Sequence, residues 1–242
     1  MAILNIAITG ASSGLGAALA GAYAAPGTQL YLAGRDAARL AAVASAARGK
    51  GAVVVESCLD VTDAAAMASW VAGAGALDVV IANAGVSGGP GRGNVEAADQ
   101  IRRIFATNIE GMLNTVLPAL AARVPRVVVV GSIAGMIALP SSPAYSASKA
   151  AVNAWVMASA PGAKREGVTL TLVRPGFIRT PMTAANPYVM PGLMDAQAAA
   201  ARIVAGVAAG RGVITFPWWL AVGAFLADLL PKAVFGKVPG KG

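Results

Sequence analysis

The sequence predicts a single α/β domain built on a doubly wound, parallel sheet of seven strands with helices on both faces. Short runs rich in β-branched residues alternate with alanine-rich segments, and no linker or repeat interrupts the series. The runs are apolar throughout, as expected for strands that are covered on both sides. The 242 residues, of which 57% are hydrophobic, suffice for one large domain with a sizeable core.

The individual elements follow from local signals. The strands are expected, in chain order, at Ile3–Thr9, Gln29–Ala33, Ala52–Glu56, Leu77–Ala82, Arg126–Gly131, Val168–Val173 and Gly212–Phe216. Three of the intervening helices follow aspartates that can cap their N-termini, and these are expected at Ala37–Arg48, Ala64–Ala74 and Ala196–Ala209, after Asp36, Asp63 and Asp195. The glycine-rich Ser87–Asn94 and the proline-containing Pro175–Leu193 are expected to be irregular.

The composition excludes most imidazole and metal chemistry. The chain has no histidine and a single cysteine, Cys58, so it provides neither a histidine-activated nucleophile nor a set of soft metal ligands. We therefore expect no metal site. One unpaired cysteine gives no disulfide framework and favours a reducing, cytoplasmic location.

The charge balance argues for a small anionic ligand rather than a nucleic acid. The net charge of +8 comes from 19 basic and 11 acidic residues, but the basic residues are dispersed and are not interleaved with aromatics. Residues 1–34 carry no charge, yet Gly10, Ser12, Ser13, Gly14 and Gly16 interrupt this run and no basic residue precedes it. We therefore expect a buried strand there, not a signal peptide or a membrane span.

A glycine-rich turn separates the first strand from the first helix. Its sequence is Thr9-Gly10-Ala11-Ser12-Ser13-Gly14-Leu15-Gly16. At this position in a strand–helix–strand unit, glycines let the backbone approach a pyrophosphate, whose charge is stabilised by free N–H groups and the helix dipole. The turn predicts a Rossmann-type dinucleotide site. The alternative is an ordinary tight turn.

The end of the second strand bears on which cofactor is used. A carboxylate there binds the ribose of NAD, whereas an arginine favours the 2′-phosphate of NADP. The strand ends in Ala33-Gly34, and Arg35 comes next with Ser12 and Ser13 as further donors. NADP(H) is therefore preferred. In the alternative, Asp36 is the ribose ligand and the cofactor is NAD(H). Asp36 also has a purely structural interpretation, as the N-cap of the next helix.

Tyr145 and Lys149 lie four residues apart, which places them one above the other on a helix face. An ammonium beside a phenol stabilises the phenolate and makes the tyrosine a usable acid or base near neutral pH. Ser132 lies 13 residues before Tyr145, at the end of the fifth strand. The carboxyl edge of a parallel sheet is where ligands bind, so Ser132 is expected in the same site.

Together with Asn83-Ala84-Gly85, Asn108 and Pro175-Gly176, these motifs closely resemble the short-chain dehydrogenase/reductase family, whose pattern extends over residues ~3–216. The resemblance implies a short, single-domain, NAD(P)-dependent oxidoreductase. Tyr145 is then the general acid, and Ser132 holds the carbonyl oxygen. Lys149 tunes Tyr145 and binds the nicotinamide ribose, while Asn108 holds a water of the proton relay.

The resemblance also implies cofactor contacts away from the reacting atoms. Asp60 and Val61 would contact the adenine, and Asn83, Ala84 and Gly85 would shape the adenosine pocket. Ile178 and Thr180 would hold the nicotinamide carboxamide, and Pro175 and Gly176 would also contact the cofactor. Three of these positions have simpler interpretations: Asp60 as a loop cap, Asn83 as a turn former and Thr180 as a cap before Pro181.

Two features depart from the family pattern. Pro161-Gly162 lies inside the helix of Tyr145, so a break or kink is expected near Ala160, which puts the usual dimer face in doubt. Residues 217–242 form an apolar, tryptophan-containing extension of the catalytic domain formed by residues 1–216. Its helix is expected either to pack on the cleft or on a subunit of a homodimer or homotetramer, or to lie peripherally on a membrane.

The favoured activity is that of an NADP(H)-dependent carbonyl reductase or alcohol dehydrogenase. Substrate choice is assigned to Ser87–Arg92, Ile137–Ala144 and Met182–Met194, where Met182, Tyr188, Val189, Met190 and Met194 favour a neutral or partly apolar compound. One alternative is an epimerase, dehydratase or reductase of nucleotide sugars or polysaccharide precursors. The other is a non-catalytic, redox-sensing dinucleotide binder.

Overall fold

A computed structural model describes residues 4–89, 95–184, 186 and 189–228. Its main sheet has seven parallel strands in the order β3-β2-β1-β4-β5-β6-β9. The strands are β1 (Leu4–Thr9), β2 (Thr28–Gly34), β3 (Val53–Cys58), β4 (Val79–Ala82), β5 (Arg126–Val130), β6 (Thr169–Pro175) and β9 (Val213–Phe216). Because the order runs outward from β1 and then outward from β4, the sheet is doubly wound, as predicted.

The helices of the described residues connect these strands. They are α1 (Gly14–Tyr23), α2 (Ala37–Arg48), α3 (Ala64–Gly73), α4 (Ala98–Phe105), α5 (Gly111–Ala121), α6 (Pro143–Arg165), α7 (Pro181–Ala184), α8 (Ala196–Ala208) and α9 (Trp218–Asp228). A π-helical turn, Ala106–Glu110, joins α4 to α5, and a 3₁₀ turn, Ile133–Met136, follows β5. Each connection returns the chain to the amino end of the next parallel strand.

The sheet separates two apolar cores. Ile6 and Ile8 of β1 face the core formed with α1, α2 and α8, whereas Ala7 faces the core that α3, α5 and α6 complete. Successive side chains of a strand point to opposite faces, so both faces of β1 are buried. The exception is β3, which lies at the sheet edge and exposes Val53 and Val55.

Two local features differ from the sequence predictions. The segment Pro175–Leu193, predicted to be irregular, contains the short strand β7 (Ile178–Arg179), which pairs in parallel with β8 (Met194–Asp195) just beyond it. Asp36 and Asp63 cap α2 and α3 as predicted. The side chain of Asp195, however, does not cap α8 and instead accepts a 2.9 Å hydrogen bond from Arg179.

The predicted break near Ala160 is wrong, because α6 continues past Pro161 to Arg165. Pro161 is exposed and lies in the last turns of the helix, while Ala160 and Ala163 pack against the core. Packing along α6 therefore outweighs the loss of one main-chain donor.

Candidate active site

A cavity of about 790 Å³ opens at the carboxyl edge of the sheet. Eighteen predicted site residues share this cavity as lining, namely Gly10, Ser12, Ser13, Gly14, Leu15, Gly16, Arg35, Val61, Asn83, Ala84, Gly85, Ser132, Tyr145, Lys149, Pro175, Gly176, Ile178 and Thr180. Asp60 and Asn108 are not among the lining residues. The fold thus brings residues from six strand ends to one site.

The glycine turn after β1 packs so closely against neighbouring main chain that a side chain would clash at two of its positions. Gly10 has a φ of 65°, and a β-carbon there would lie 2.8 Å from the Cα of Ala84. A β-carbon on Gly16 would overlap the carbonyl oxygen of Gly10. The main chain of the turn lines the cavity at the N-terminus of α1, because Gly10, Gly14 and Gly16 have no side chains to cover it. A pyrophosphate therefore fits against its N–H groups.

Asn83 braces this turn against the end of β4. Its amide nitrogen donates to the carbonyl oxygens of Thr9 (3.0 Å) and Gly10 (3.3 Å). The hydroxyl oxygen of Thr9 in turn accepts hydrogen bonds from the main-chain N–H groups of Asn83 and Ala84. Asn83 therefore shapes the cavity by holding two strand ends together, and its contact with adenosine stays a prediction.

Two arginines lie at the end of the cavity that is next to β2 and α2. Arg35 follows β2, and Arg39 lies one turn into α2; both line the cavity and are exposed. Asp36 accepts hydrogen bonds from the main-chain N–H (2.9 Å) and Nε (2.8 Å) of Arg39, and these bonds hold the pKa of its carboxyl below the usual value. Asp36 is thus engaged as the helix cap.

Asp60 lies beside this end of the cavity without lining it. Its carboxylate accepts hydrogen bonds from the main-chain N–H and hydroxyl of Thr62 and pairs with Arg35 at 3.5 Å. The main-chain bond from Thr62 is the largest cause of a lowered pKa at Asp60. The arrangement matches the loop-cap interpretation, and contact with adenine stays a prediction.

The first three turns of α6 supply the centre of the site. The ammonium nitrogen of Lys149 lies 6.0 Å from the centroid of the Tyr145 ring and donates a 2.7 Å hydrogen bond to the carbonyl oxygen of Val130. Burial lowers the pKa of Lys149 to about 8. The cavity therefore places a phenol next to a desolvated ammonium, a pairing typical of acid–base sites.

Asn108 lies in the π-helical turn between α4 and α5, and such turns are frequent at functional sites. Its amide accepts from the main-chain N–H of Val86 at 2.8 Å and donates to the carbonyl oxygen of Val86 and to the hydroxyl of Ser148. A β-carbon on Gly85 would lie 3.3 Å from its Oδ1 and 3.7 Å from the ammonium of Lys149. Asn108 fixes the loop that borders Lys149.

Ser132 emerges from β5 as the N-cap of the 3₁₀ turn, and its hydroxyl oxygen accepts from the main-chain N–H of Ala134. Asn153, two turns after Tyr145 on α6, donates a 2.9 Å hydrogen bond to the carbonyl oxygen of Ser132. Asn153 and Arg39 were not predicted as site residues from the sequence. A signal existed for each, because Asn153 lies eight residues after Tyr145 on the same helix face and Arg39 follows Arg35 at helical spacing.

The substrate side of the cavity is bordered by Met182 and by the region of α9. Pro217 and Leu220 lie against Gly176, and Trp219 lies against Gly192. Ala221 and Ala224 of α9 pack against Ile133 of the 3₁₀ turn. Of the predicted lid residues, Tyr188 falls outside the described residues, Val189 is exposed and Met194 packs against the core rather than the cavity.

Comparison with known proteins identifies the family. The model of the short chain dehydrogenase family matches residues 4–188. An uncharacterized oxidoreductase of Myxococcus xanthus is 37% identical over 236 residues, which cover 94% of this chain and 93% of the relative. A putative ketoacyl reductase of the granaticin polyketide synthase from Streptomyces violaceoruber is 36% identical, covering 72% of this chain and 68% of the relative.

Solved structures share the fold over the whole chain. A short-chain dehydrogenase/reductase from Burkholderia phymatum in complex with NAD superimposes with a TM-score of 0.84 at 23% identity, covering 100% of this chain and 98% of the other. A short-chain dehydrogenase from Sphingobium yanoikuyae in complex with NADPH gives a TM-score of 0.80 at 22% identity, with coverages of 99% and 98%. The chain belongs to the short-chain dehydrogenase/reductase family and is an NAD(P)-dependent oxidoreductase.

Proposed function

We propose that the protein is an NADP(H)-dependent oxidoreductase that interconverts a ketone and a secondary alcohol, with Tyr145 as the general acid and base. The observation that carries this proposal is the desolvated Lys149 ammonium 6.0 Å from the Tyr145 ring, in a cavity that Ser132 also lines. When bound, the nicotinamide supplies or accepts the hydride.

The protein's own part is proton transfer and charge stabilisation. Tyr145 donates its phenolic proton to the carbonyl oxygen during reduction, and Lys149 stabilises the phenolate that results. The Ser132 hydroxyl donates to the developing alkoxide oxygen, because a fixed donor is worth most where charge appears in the transition state. Asn108 holds the loop of Val86 next to Lys149. In the proposed mechanism, the proton that Tyr145 gives up is replaced from solvent along this side of Lys149.

The preference for NADP(H) rests on Arg35 and Arg39. Two guanidinium groups at the adenosine end of the cavity provide the charge that a 2′-phosphate needs, and the Ser12 hydroxyl lies beside Gly34. Asp36 is held by Arg39 as a helix cap, which disfavours its use as a ribose ligand. NAD(H) remains the alternative cofactor.

A neutral or partly apolar substrate fits the described lining on the carbonyl side. Met182, Val86, Ile178 and Pro181 contribute apolar surface there. Between β6 and α8 the described residues form only the short elements β7, α7 and β8. They do not form a lobe large enough to bind a nucleotide sugar, so an epimerase is the second candidate function. The presence of Ser132, Tyr145 and Lys149 in one cavity disfavours a purely redox-sensing role.

The reaction class is tested by measuring NADPH and NADH oxidation over a panel of ketones, aldehydes and keto sugars. We expect apolar ketones to be reduced with a kcat/KM for NADPH at least about tenfold above that for NADH, equivalent to ~1.4 kcal/mol. Replacing Arg35 and Arg39 together by alanine should remove that preference. A parent enzyme that prefers NADH would contradict the assignment of the arginines, and turnover of nucleotide sugars alone would favour the second candidate.

We also propose that α9 contacts an anionic membrane surface peripherally. The side chains of Trp218, Val222, Phe225 and Leu226 are exposed along the helix, with Trp218 at 72%. The sequence that follows, residues 229–242, contains three lysines and no acidic residue. No helix among the described residues has the length and apolarity needed to cross a bilayer.

Flotation with vesicles tests this contact without disturbing the buried face of α9. Parent protein should float with vesicles of phosphatidylglycerol and phosphatidylcholine, whereas a Trp218→Ser/Phe225→Ser variant should not. Equal flotation of both proteins, or none of the parent, would refute the membrane proposal.

The proposed assembly is a homodimer or homotetramer in the cytoplasm. Leu117 of α5 and Met157 of α6 are about half exposed, which leaves apolar surface for a second copy. Light scattering should give at least twice the mass of 23.9 kDa, and Leu117→Lys/Met157→Lys should reduce it to that mass. A monomeric parent would refute the proposal.

A further inference from the structure

Glu96 is a buried carboxylate that does not line the cavity. It precedes α4, and only 8% of its surface is exposed. Its Oε2 accepts a 2.7 Å hydrogen bond from the main-chain N–H of Ala144. Ala144 is the second residue of α6 and directly precedes Tyr145, so this carboxylate holds the helix turn on which Tyr145 lies.

The first turn of α6 lacks a cap of its own. Ser142 is the N-cap residue, but its side chain makes no capping hydrogen bond, and Pro143 has no N–H group. The first main-chain donor of α6 is therefore the buried N–H of Ala144. Helix N-termini require acceptors for such groups, and a carboxylate also complements the positive end of the helix dipole. Here the acceptor comes from a residue 48 positions away.

A second residue fixes Glu96 in place. The amide nitrogen of Gln100 donates to Oε1 of Glu96 at 3.3 Å and to the carbonyl oxygen of Gly89 at 3.0 Å. A β-carbon on Gly89 would overlap the carbonyl oxygen of Ser141, so the loop after β4 lies against the loop before α6. Glu96 and Gln100 together link the loop after β4, the first turns of α4 and the first turn of α6.

We propose that Glu96 is a positioning residue, which fixes the first turn of α6 and thereby aligns the Tyr145 phenol with Ser132 and Lys149. Tyr145 is the third residue of the helix, whereas Lys149 is anchored to Val130 a turn further along. Fraying of the helix start would displace Tyr145 first. This inference rests on the role proposed for Tyr145, but Glu96 itself acts through Ala144.

Three substitutions separate the reach of the side chain from its charge. Glu96→Gln keeps an oxygen acceptor at the same reach, Glu96→Asp keeps the carboxylate but is one methylene shorter, and Glu96→Ala removes both. We expect kcat to fall about tenfold to 100-fold in the alanine and aspartate variants, as expected for a misplaced catalytic group. The glutamine variant should stay within about threefold of the parent, and KM for NADPH should change less than about twofold throughout.

Hydrogen exchange gives a readout that does not depend on turnover. The amides of residues 143–149 should exchange faster in Glu96→Ala than in the parent, but not in Glu96→Gln. Glu166→Ala is the matched control, because Glu166 is an exposed carboxylate at the other end of α6, paired with Arg123 at 2.8 Å. It should change neither kcat nor exchange at residues 143–149.

The outcomes distinguish this inference from the proposed function. Unchanged kcat and exchange in Glu96→Ala would overturn the positioning role, as would a glutamine variant as impaired as the alanine variant. If the parent reduces no carbonyl compound, the proposed function fails. Faster exchange in Glu96→Ala would then still support the capping contact, and unchanged exchange would overturn it.

Discussion

The two halves of the cavity are built in different ways. The cofactor half, formed by the turn after β1 and by the ends of β2 and β4, depends above all on missing side chains, as at Gly10 and Gly16, and Asn83 braces its turn. The carbonyl half, formed around Ser132, Tyr145 and Lys149, depends on side chains that hydrogen-bond to distant main-chain groups. Added bulk should therefore damage the first half, and removal of polar atoms should damage the second.

The largest expected effect comes from adding bulk to the cofactor half. Gly16→Val places carbons where the carbonyl oxygen of Gly10 lies, and the rigid main chain cannot move away. We expect Kd for NADPH, measured by fluorescence titration, to rise at least about 100-fold, equivalent to ~2.7 kcal/mol. Gly73→Ala is the control, since a β-carbon there meets no atom within 4 Å in the described structure. Binding within threefold of the parent in Gly16→Val would contradict this picture of the turn.

Two asparagines give a smaller and more selective test. Asn153 holds the carbonyl oxygen of Ser132 in the carbonyl half, and Asn114 holds that of Val61 at 2.9 Å in the cofactor half. Removing either donor takes one hydrogen bond from a carbonyl oxygen, at a cost of about 0.5–1.5 kcal/mol, and the carbonyl oxygen of Ser132 keeps its 3.2 Å hydrogen bond from the main-chain N–H of Gly135. Asn153→Leu should lower kcat about tenfold with Kd for NADPH unchanged, whereas Asn114→Leu should raise that Kd about threefold with kcat unchanged. Identical effects of both variants would remove the distinction between the halves.

The smallest effect concerns the pH dependence of stability. Burial lowers the pKa of Lys149 from 10.5 to about 8, so between these values the unfolded chain holds a proton that the native chain has lost. Stability therefore rises with pH across this window, by at most about 1.4 kcal/mol per pH unit. Burial raises the pKa of Tyr23 to about 12, and its opposite contribution begins only above pH 10.

Urea unfolding of the cofactor-free protein at pH 7.5, 8.5 and 9.5 measures this contribution. Lys149→Met should lose the rise that the parent shows. Lys50→Met should retain it, because Lys50 is exposed although its ammonium also donates to a main-chain carbonyl oxygen, that of Gly21. A parent-like rise in Lys149→Met would show that the buried ammonium is not its source.

The glycine turn, the end of β2 and the cap of α2 were predictable because their signals are local. A glycine turn, the end of a strand and a helix cap are each decided by neighbouring residues, as Asp36 and Arg39 illustrate. The seven-stranded sheet followed from apolar runs for the same reason. Tyr145 and Lys149 were also predicted from their local spacing, but how deeply their side chains are buried was not predictable from it.

The contacts that align the carbonyl half were not predictable in this way. Glu96 caps a helix that begins 47 residues later in the chain, and nothing near Glu96 indicates that partner. Pro161 is a strong local signal for a helix break, but packing along α6 overrides it. Asp195 precedes a helix, yet Arg179 takes its carboxylate. In each case a tertiary contact competes with a local preference.

The most direct test of the central claim is the Tyr145→Phe variant, which removes a single oxygen atom. With the preferred ketone and NADPH, kcat should fall at least about 100-fold, the usual contribution of a general acid, while Kd for NADPH stays within about twofold of the parent. Full activity in Tyr145→Phe would contradict the assignment of Tyr145 as the proton donor.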